Sequence, residues 1–150
     1  MSGSWIAGLR TWMAVLVLAM VHLTAILVLA QSASSVTVNG LKPGMYRNQV
    51  HKRLGPPRKS DSTEEHYQGL DIRYGPSGSV VELRGSTLEV EGEVVLSAGE
   101  TREKALQVLA QAFGPASPDR DVVHYENLPF KVHVRFEDER VRCISMGRKN

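Results

Sequence analysis

The sequence predicts an α+β fold of two tandem repeats, each a helix packed on an antiparallel β-meander, preceded by an N-terminal transmembrane or signal helix. Three observations lead there. The first is an internal echo, in which His66-Tyr67-Gln68-Gly69-Leu70 returns 58 residues later as His124-Tyr125-Glu126-Asn127-Leu128. The second is a pair of Gly-Pro steps ahead of the two copies, Leu54-Gly55-Pro56 and Phe113-Gly114-Pro115. Each closes a segment that opens on glycine, Gly44-Met45-Tyr46-Arg47 and Gly99-Glu100-Thr101-Arg102. The third is an uncharged apolar run from Thr11 to Ala30. Together they divide the chain into a hydrophobic signal or anchor at 1–30, a linker at 31–35, and repeats at 36–96 and 97–150.

Twenty apolar residues span a bilayer core as a helix. Arg10 stands directly before the run and the first basic residue after it is Lys42, a bias that favours an inside N-terminus and an exported C-terminal domain. Trp5 and Trp12 suit the membrane interface. Val28-Leu29-Ala30 before Gln31-Ser32 offers small residues to a signal peptidase, whereas the run exceeds the usual ~7–15 residues of a signal peptide. Both outcomes stay open: a single-pass anchor with the C-terminal domain outside the cytoplasm, or a periplasmic protein cleaved after Ala30. The sole cysteine, Cys143, excludes an internal disulfide, so an exported fold must rest on its core.

Val36-Thr37-Val38 alternates like a strand and stops at the Asn39-Gly40 turn. Tyr46, Val50 and Leu54 recur every four residues and form the stripe of a short helix, which Gly55-Pro56-Pro57 ends because proline lacks an amide. Leu70, Ile72 and Tyr74 alternate with Asp71 and Arg73, as in a strand buried on one side. The Gly75-Pro76-Ser77-Gly78 turn leads to a return strand at Val80 to Leu83. Two further strands flank Glu91-Gly92. In the second unit Thr101 is a helix N-cap, and Ala105, Leu106, Val108, Leu109, Ala112 and Phe113 make a broad apolar face. Val132, Val134 and Phe136 then alternate with Lys131, His133 and Arg135. The last strand, Val141 to Met146, has an open register, since Val141/Cys143 and Ile144/Met146 are both buryable.

A glycine-opened helix ending in Leu-Gly-Pro, followed by an aromatic-bearing strand, resembles the SmpA/OmlA family of small envelope proteins. The residues that carry the resemblance are Gly44-Met45, Val50, Leu54-Gly55-Pro56 and Tyr67, then Gly99, Leu109, Phe113-Gly114-Pro115, Tyr125 and Val134-Arg135-Phe136. It implies helices paired with a three-stranded sheet and an accessory role in outer-membrane β-barrel assembly. The tandem arrangement is also similar to the β-lactamase-inhibitor-protein fold, which implies a concave protein-binding sheet. The lipidated cysteine usual in the first family has no counterpart here.

Charge and motif exclude more than they assign. Beyond Arg10 the chain carries 17 basic and 16 acidic residues, so bulk charge points to no polyanion, and three Phe, four Tyr and two Trp are too few for a nucleic-acid surface. Cys143 lacks a surrounding nucleophile motif, no G-x-S-x-G elbow occurs, and the glycines lack a phosphate-cradling pattern. The expectation is a non-enzymatic membrane-attached envelope protein without a cofactor or metal, a scaffolding module that meets a protein partner through the outward strand positions Arg73, Lys131, His133 and Arg135. One alternative uses the acid-free basic stretch Arg47, Lys52, Arg53, Arg58 and Lys59 to contact anionic membrane or envelope polymer. A second alternative is a metal site drawn from His66, His124 and His133, although the tight His/Cys spacing of structural zinc sites is missing.

Overall fold

Short alternating runs separated by glycine turns leave residues 36–149 little helix to form. The computed structural model describes residues 36–149 except 120 and 127. The expected membrane segment at 11–30 and the linker at 31–35 lie outside the described residues. Among those described, no helix is long and apolar enough to cross a membrane. The elements are β1 (Thr37–Val38), α1 (Arg47–Leu54), β2 (Lys59–Ser60), β3 (Glu64–Tyr67), β4 (Leu70–Tyr74), β5 (Val80–Gly85), β6 (Thr87–Val90), β7 (Glu93–Ser97), α2 (Arg102–Phe113), β8 (Ser117–Pro118), β9 (Val122–Tyr125), β10 (Lys131–Glu137) and β11 (Arg140–Gly147).

This arrangement overturns the expected α+β fold of two helix-on-meander repeats. The molecule is mostly β, and the strands of both halves join one eight-stranded antiparallel sheet in the order β2-β3-β4-β5-β11-β10-β9-β8. The hairpin β6–β7 leaves that sheet and pairs with β1 in a separate three-stranded one. The physical reason lies in the edges. A meander ending at β5 or β11 would expose a row of unpaired backbone groups, and pairing the two edges satisfies both. Nor do the helices hold the meanders together. In α1 only Val50 is buried, and the expected stripe fails because Tyr46 and Leu54 are 55% and 39% exposed. In α2 only Ala105 and Leu109 of the expected face are fully buried.

The sequence echo reappears as matched hydrogen bonds. Tyr67 and Tyr125 donate their hydroxyls to the carbonyls of Gly55 and Gly114, the residues that end α1 and α2. Both glycines have φ near +80° (76° and 84°), a conformation that side chains with a Cβ resist. The Gly44 and Gly99 amides donate to Val80 and Val141. Each long hairpin also carries a bulge at the same place, between Arg73 and Tyr74 and between Arg135 and Phe136. The second bulge explains the ambiguous last strand: Arg142 is the extra residue, so Val141, Ile144 and Met146 all turn inward. A two-residue turn at Gln68-Gly69 joins β3 to β4.

The three-stranded sheet and the helices cover one face of the large sheet. β1 crosses the seam where it touches β5 and β11, and Val38, Leu88 and Leu96 are fully buried, as are Leu83, Ile144 and Met146. Asn39 fixes this crossing. Its side-chain oxygen accepts from the amides of Ser86 (2.9 Å) and Thr87 (3.2 Å), and its approach requires glycine at 85, where a Cβ would stand 2.2 Å from the Asn39 oxygen and 2.6 Å from Val38. Gly85→Ala is therefore expected to lower the unfolding free energy by about 1–3 kcal/mol. Leu109→Ala should lower it by about 2–5 kcal/mol, and the half-exposed Leu54→Ala by less than about 1 kcal/mol. Urea denaturation measures all three, and equal effects at Leu109 and Leu54 would mean that the helix faces are misassigned.

Candidate functional site

Two regions concentrate polar chemistry, and they lie on opposite faces of the large sheet. The first is the outward face. Strand alternation sends Leu70, Ile72, Tyr74, Val132, Val134 and Phe136 into the core and Glu64, His66, Asp71, Arg73, Glu82, Arg84, Lys131, His133, Arg135 and Ser145 the other way. Each of that second set is exposed or half-buried. A cleft of about 920 Å³ opens beside Arg73, Glu82, Lys131, His133, Ser145 and Arg148. A second, of about 520 Å³, reaches Arg84, Arg135 and Arg142.

Three of the four expected partner-facing residues, Arg73, Lys131 and His133, line the larger cleft, and Arg135 lines the other. Arg73 pairs with Glu82 across the strands. Among the described residues, no carboxylate pairs with Arg84, Lys131 or Arg135, which leaves the middle of this face with excess positive charge. On β3, His66 is hydrogen-bonded to Asp71 at 2.8 Å. Far along the sheet His124 and His133 meet edge to face, with ring centroids 4.6 Å apart. Five strand steps separate β3 from β9, about 24 Å, so His66 does not share a site with the other two. Among the described residues, no group of three His, Cys, Asp or Glu side chains is placed to hold a metal. Cys143 is half-buried on the same face.

The basic stretch of the first half does not form one patch. Arg47 donates to the Ser62 carbonyl, Arg53 to the Gly40 carbonyl and Arg58 to the Gln68 side chain. Lys52 and Lys59 are exposed.

The second region is a buried carboxylate that the sequence reading missed. Glu65 on β3 is fully buried beneath α1. It accepts hydrogen bonds from Tyr74 (2.7 Å) and Tyr67 (3.1 Å), meets His51 Nε2 at 2.7 Å and lies 3.4 Å from Arg47 Nε. Arg47 also stacks over the Tyr74 ring at 4.3 Å. The geometry follows from local sequence. Arg47 and His51 are one helical turn apart on the same side of α1, while Glu65, Tyr67, Leu70, Ile72 and Tyr74 share the inward face once Gln68-Gly69 is read as a tight turn. Burial pushes the Glu65 carboxyl up, but the hydrogen bonds from Tyr74, His51 and Tyr67 outweigh it and hold the group below its ordinary value. Tyr67 is pushed up to about 12, first by burial and then by Glu65. Tyr74 is raised further for the same reasons.

The fold does not require this charge. The equivalent position on β9 is Val123, also fully buried. Pairing of Glu65 with Ile72 and of Val123 with Val134 fixes the correspondence. The other half keeps an arginine over an aromatic ring, Arg102 over Phe136 at 5.0 Å, but neither a tyrosine hydroxyl nor a histidine replaces Tyr74 and His51 there. What the cluster does is hold a short helix with little apolar anchorage against the sheet.

Because the folded Glu65 carboxyl sits below its unfolded value, its stabilisation is complete above that unfolded value and is lost as pH falls through the folded one. Glu65→Gln should cost about 1–3 kcal/mol near neutral pH and flatten the decline in stability below the ordinary value of 4.5. Thermal unfolding of both forms between neutral and acid pH tests this. Parallel curves would contradict an ionised Glu65.

No protein-family model and no curated protein matches the chain. Among solved structures, the chain is similar to a DUF4309 family protein, YjgB, from Bacillus subtilis subsp. subtilis str. 168. The identity is 18%, over 75% of this chain and 82% of that one, with a TM-score of 0.44.

Proposed function

We propose that the protein is a non-enzymatic protein-interaction module, exported and held at the membrane by residues 11–30, whose open sheet face receives an acidic segment of an envelope partner. One observation carries this reading. Among the described residues, the eight-stranded sheet is covered on one side only, and its other side presents Arg84, Lys131 and Arg135 without carboxylate partners above two clefts. Ordinary surfaces intersperse both signs. A broad, basic sheet face suits a complementary acidic surface, which would gain in encounter rate and register more than in raw affinity. An envelope protein is also the class of partner that the SmpA/OmlA resemblance implies. Arg47, Arg53 and Arg58 already serve acceptors within the chain, so the polyanion reading has less to draw on.

A photo-crosslinking side chain at Arg135 or Lys131 tests the proposal in cells that express the protein. A discrete protein adduct is expected at both positions and not at Val94, which is 57% exposed on the small sheet. With the crosslinking side chain at Lys131, Arg84→Glu combined with Arg135→Glu should abolish the adduct while leaving thermal stability unchanged. Lipid adducts alone, or equal crosslinking from Val94, would overturn the proposal.

A further inference from the structure

The His124–His133 contact marks a place on the outward face where matched positions in the two halves solve the same problem differently. On β3 and β4, His66 stands opposite Asp71 and the pair is satisfied by a 2.8 Å hydrogen bond. On β9 and β10 the same positions hold His124 opposite His133. No hydrogen bond joins these two rings. The Nε2 of His133 is buried and has no partner among the described residues. An imidazole nitrogen left in this state lacks the compensation that buried polar groups normally find, although the fold plainly offers one.

The backbone brings these rings close. Phe136 donates to the Asp121 carbonyl, so by strand parity His124 and His133 form a pair without mutual backbone bonds, the kind whose side chains stand nearest. His133 also lines the 920 Å³ cleft. We infer that His124 and His133 together form a binding site for a divalent transition cation such as zinc, copper or nickel, with one ring nitrogen from each strand as ligand. Imidazole suits these ions, and convergence of the two nitrogens requires rotation about the side-chain torsions of rings whose centroids stand 4.6 Å apart. The remaining coordination positions are left to water. Glu126 and Glu82 act on His133 with attractive charge for a cation, and Lys131 opposes them. This inference does not rest on the partner-binding reading.

Calorimetric titration of the full-length chain with zinc chloride tests it, alongside copper(II) electron paramagnetic resonance. One zinc per chain and a copper spectrum with two nitrogen ligands are expected. His124→Ala and His133→Ala should each weaken binding by about tenfold or more, and His66→Ala should leave it unchanged. Circular dichroism should show all three variants folded. Absence of zinc uptake, uptake indifferent to both substitutions, or equal loss in His66→Ala would overturn the site.

Discussion

The antiparallel pairing of β5 with β11 is the constraint on which the rest depends. Gly85 faces Ile144, Arg84 faces Ser145 and Leu83 faces Met146. Exchanging the two halves maps this ladder onto itself, with Arg84 and Ser145 at its centre. That local twofold relation produces the mirror-like strand order of the whole sheet. It also fills the middle of the core with Leu83, Ile144 and Met146, and it places β1 over the seam, where Asn39 and Gly85 lock together. Separate meanders would leave each of these groups at an edge.

Where the halves agree, the shared residues serve the fold: the glycines after each helix, the tyrosines that reach back to them, and the paired bulges. Where they differ, the difference needs another cause. Glu65 and Val123 occupy equivalent buried positions, yet one demands four polar neighbours and the other none. Replacing buried charge by well-packed apolar groups is often neutral or stabilising, and the second half shows such a solution in this very fold. The compensating gain in the first half is attachment of α1, which buries only Val50 and carries His51, Lys52 and Arg53 near its C-terminal end. The same comparison sets His66–Asp71 against His124–His133 on the opposite face.

Much of the strand pattern was legible, because alternation at Leu70–Tyr74 and Val132–Phe136 and the glycine turns report local geometry directly. The echo around His-Tyr also located equivalent positions. The fold class was not legible. Which edge a strand pairs with depends on partners over fifty residues away, and nothing local in Val80–Gly85 names Arg140–Gly147. Period-four spacing at Tyr46, Val50 and Leu54 misled for a related reason, since a helix of eight residues resting on a polar cluster need not bury an apolar stripe. Glu65 was hidden by its neighbours: among Glu64, His66 and Asp61 it reads as one more surface carboxylate. Only alignment with Val123, or recognition of the Gln68-Gly69 turn, turns it inward.

The joined sheet is tested most directly by cross-linking its centre. Arg84 and Ser145 are direct neighbours across the seam, so Arg84→Cys with Ser145→Cys, in a Cys143→Ser background, should form a disulfide under mild oxidation, as facing Cβ atoms within bonding reach do. A control pair on the same face, Arg73→Cys with Lys131→Cys, spans three strand steps, about 14 Å, and should stay reduced. Quantitative oxidation of the first pair alone is the result the joined sheet predicts. A reduced first pair, or oxidation of both to the same extent, would contradict it.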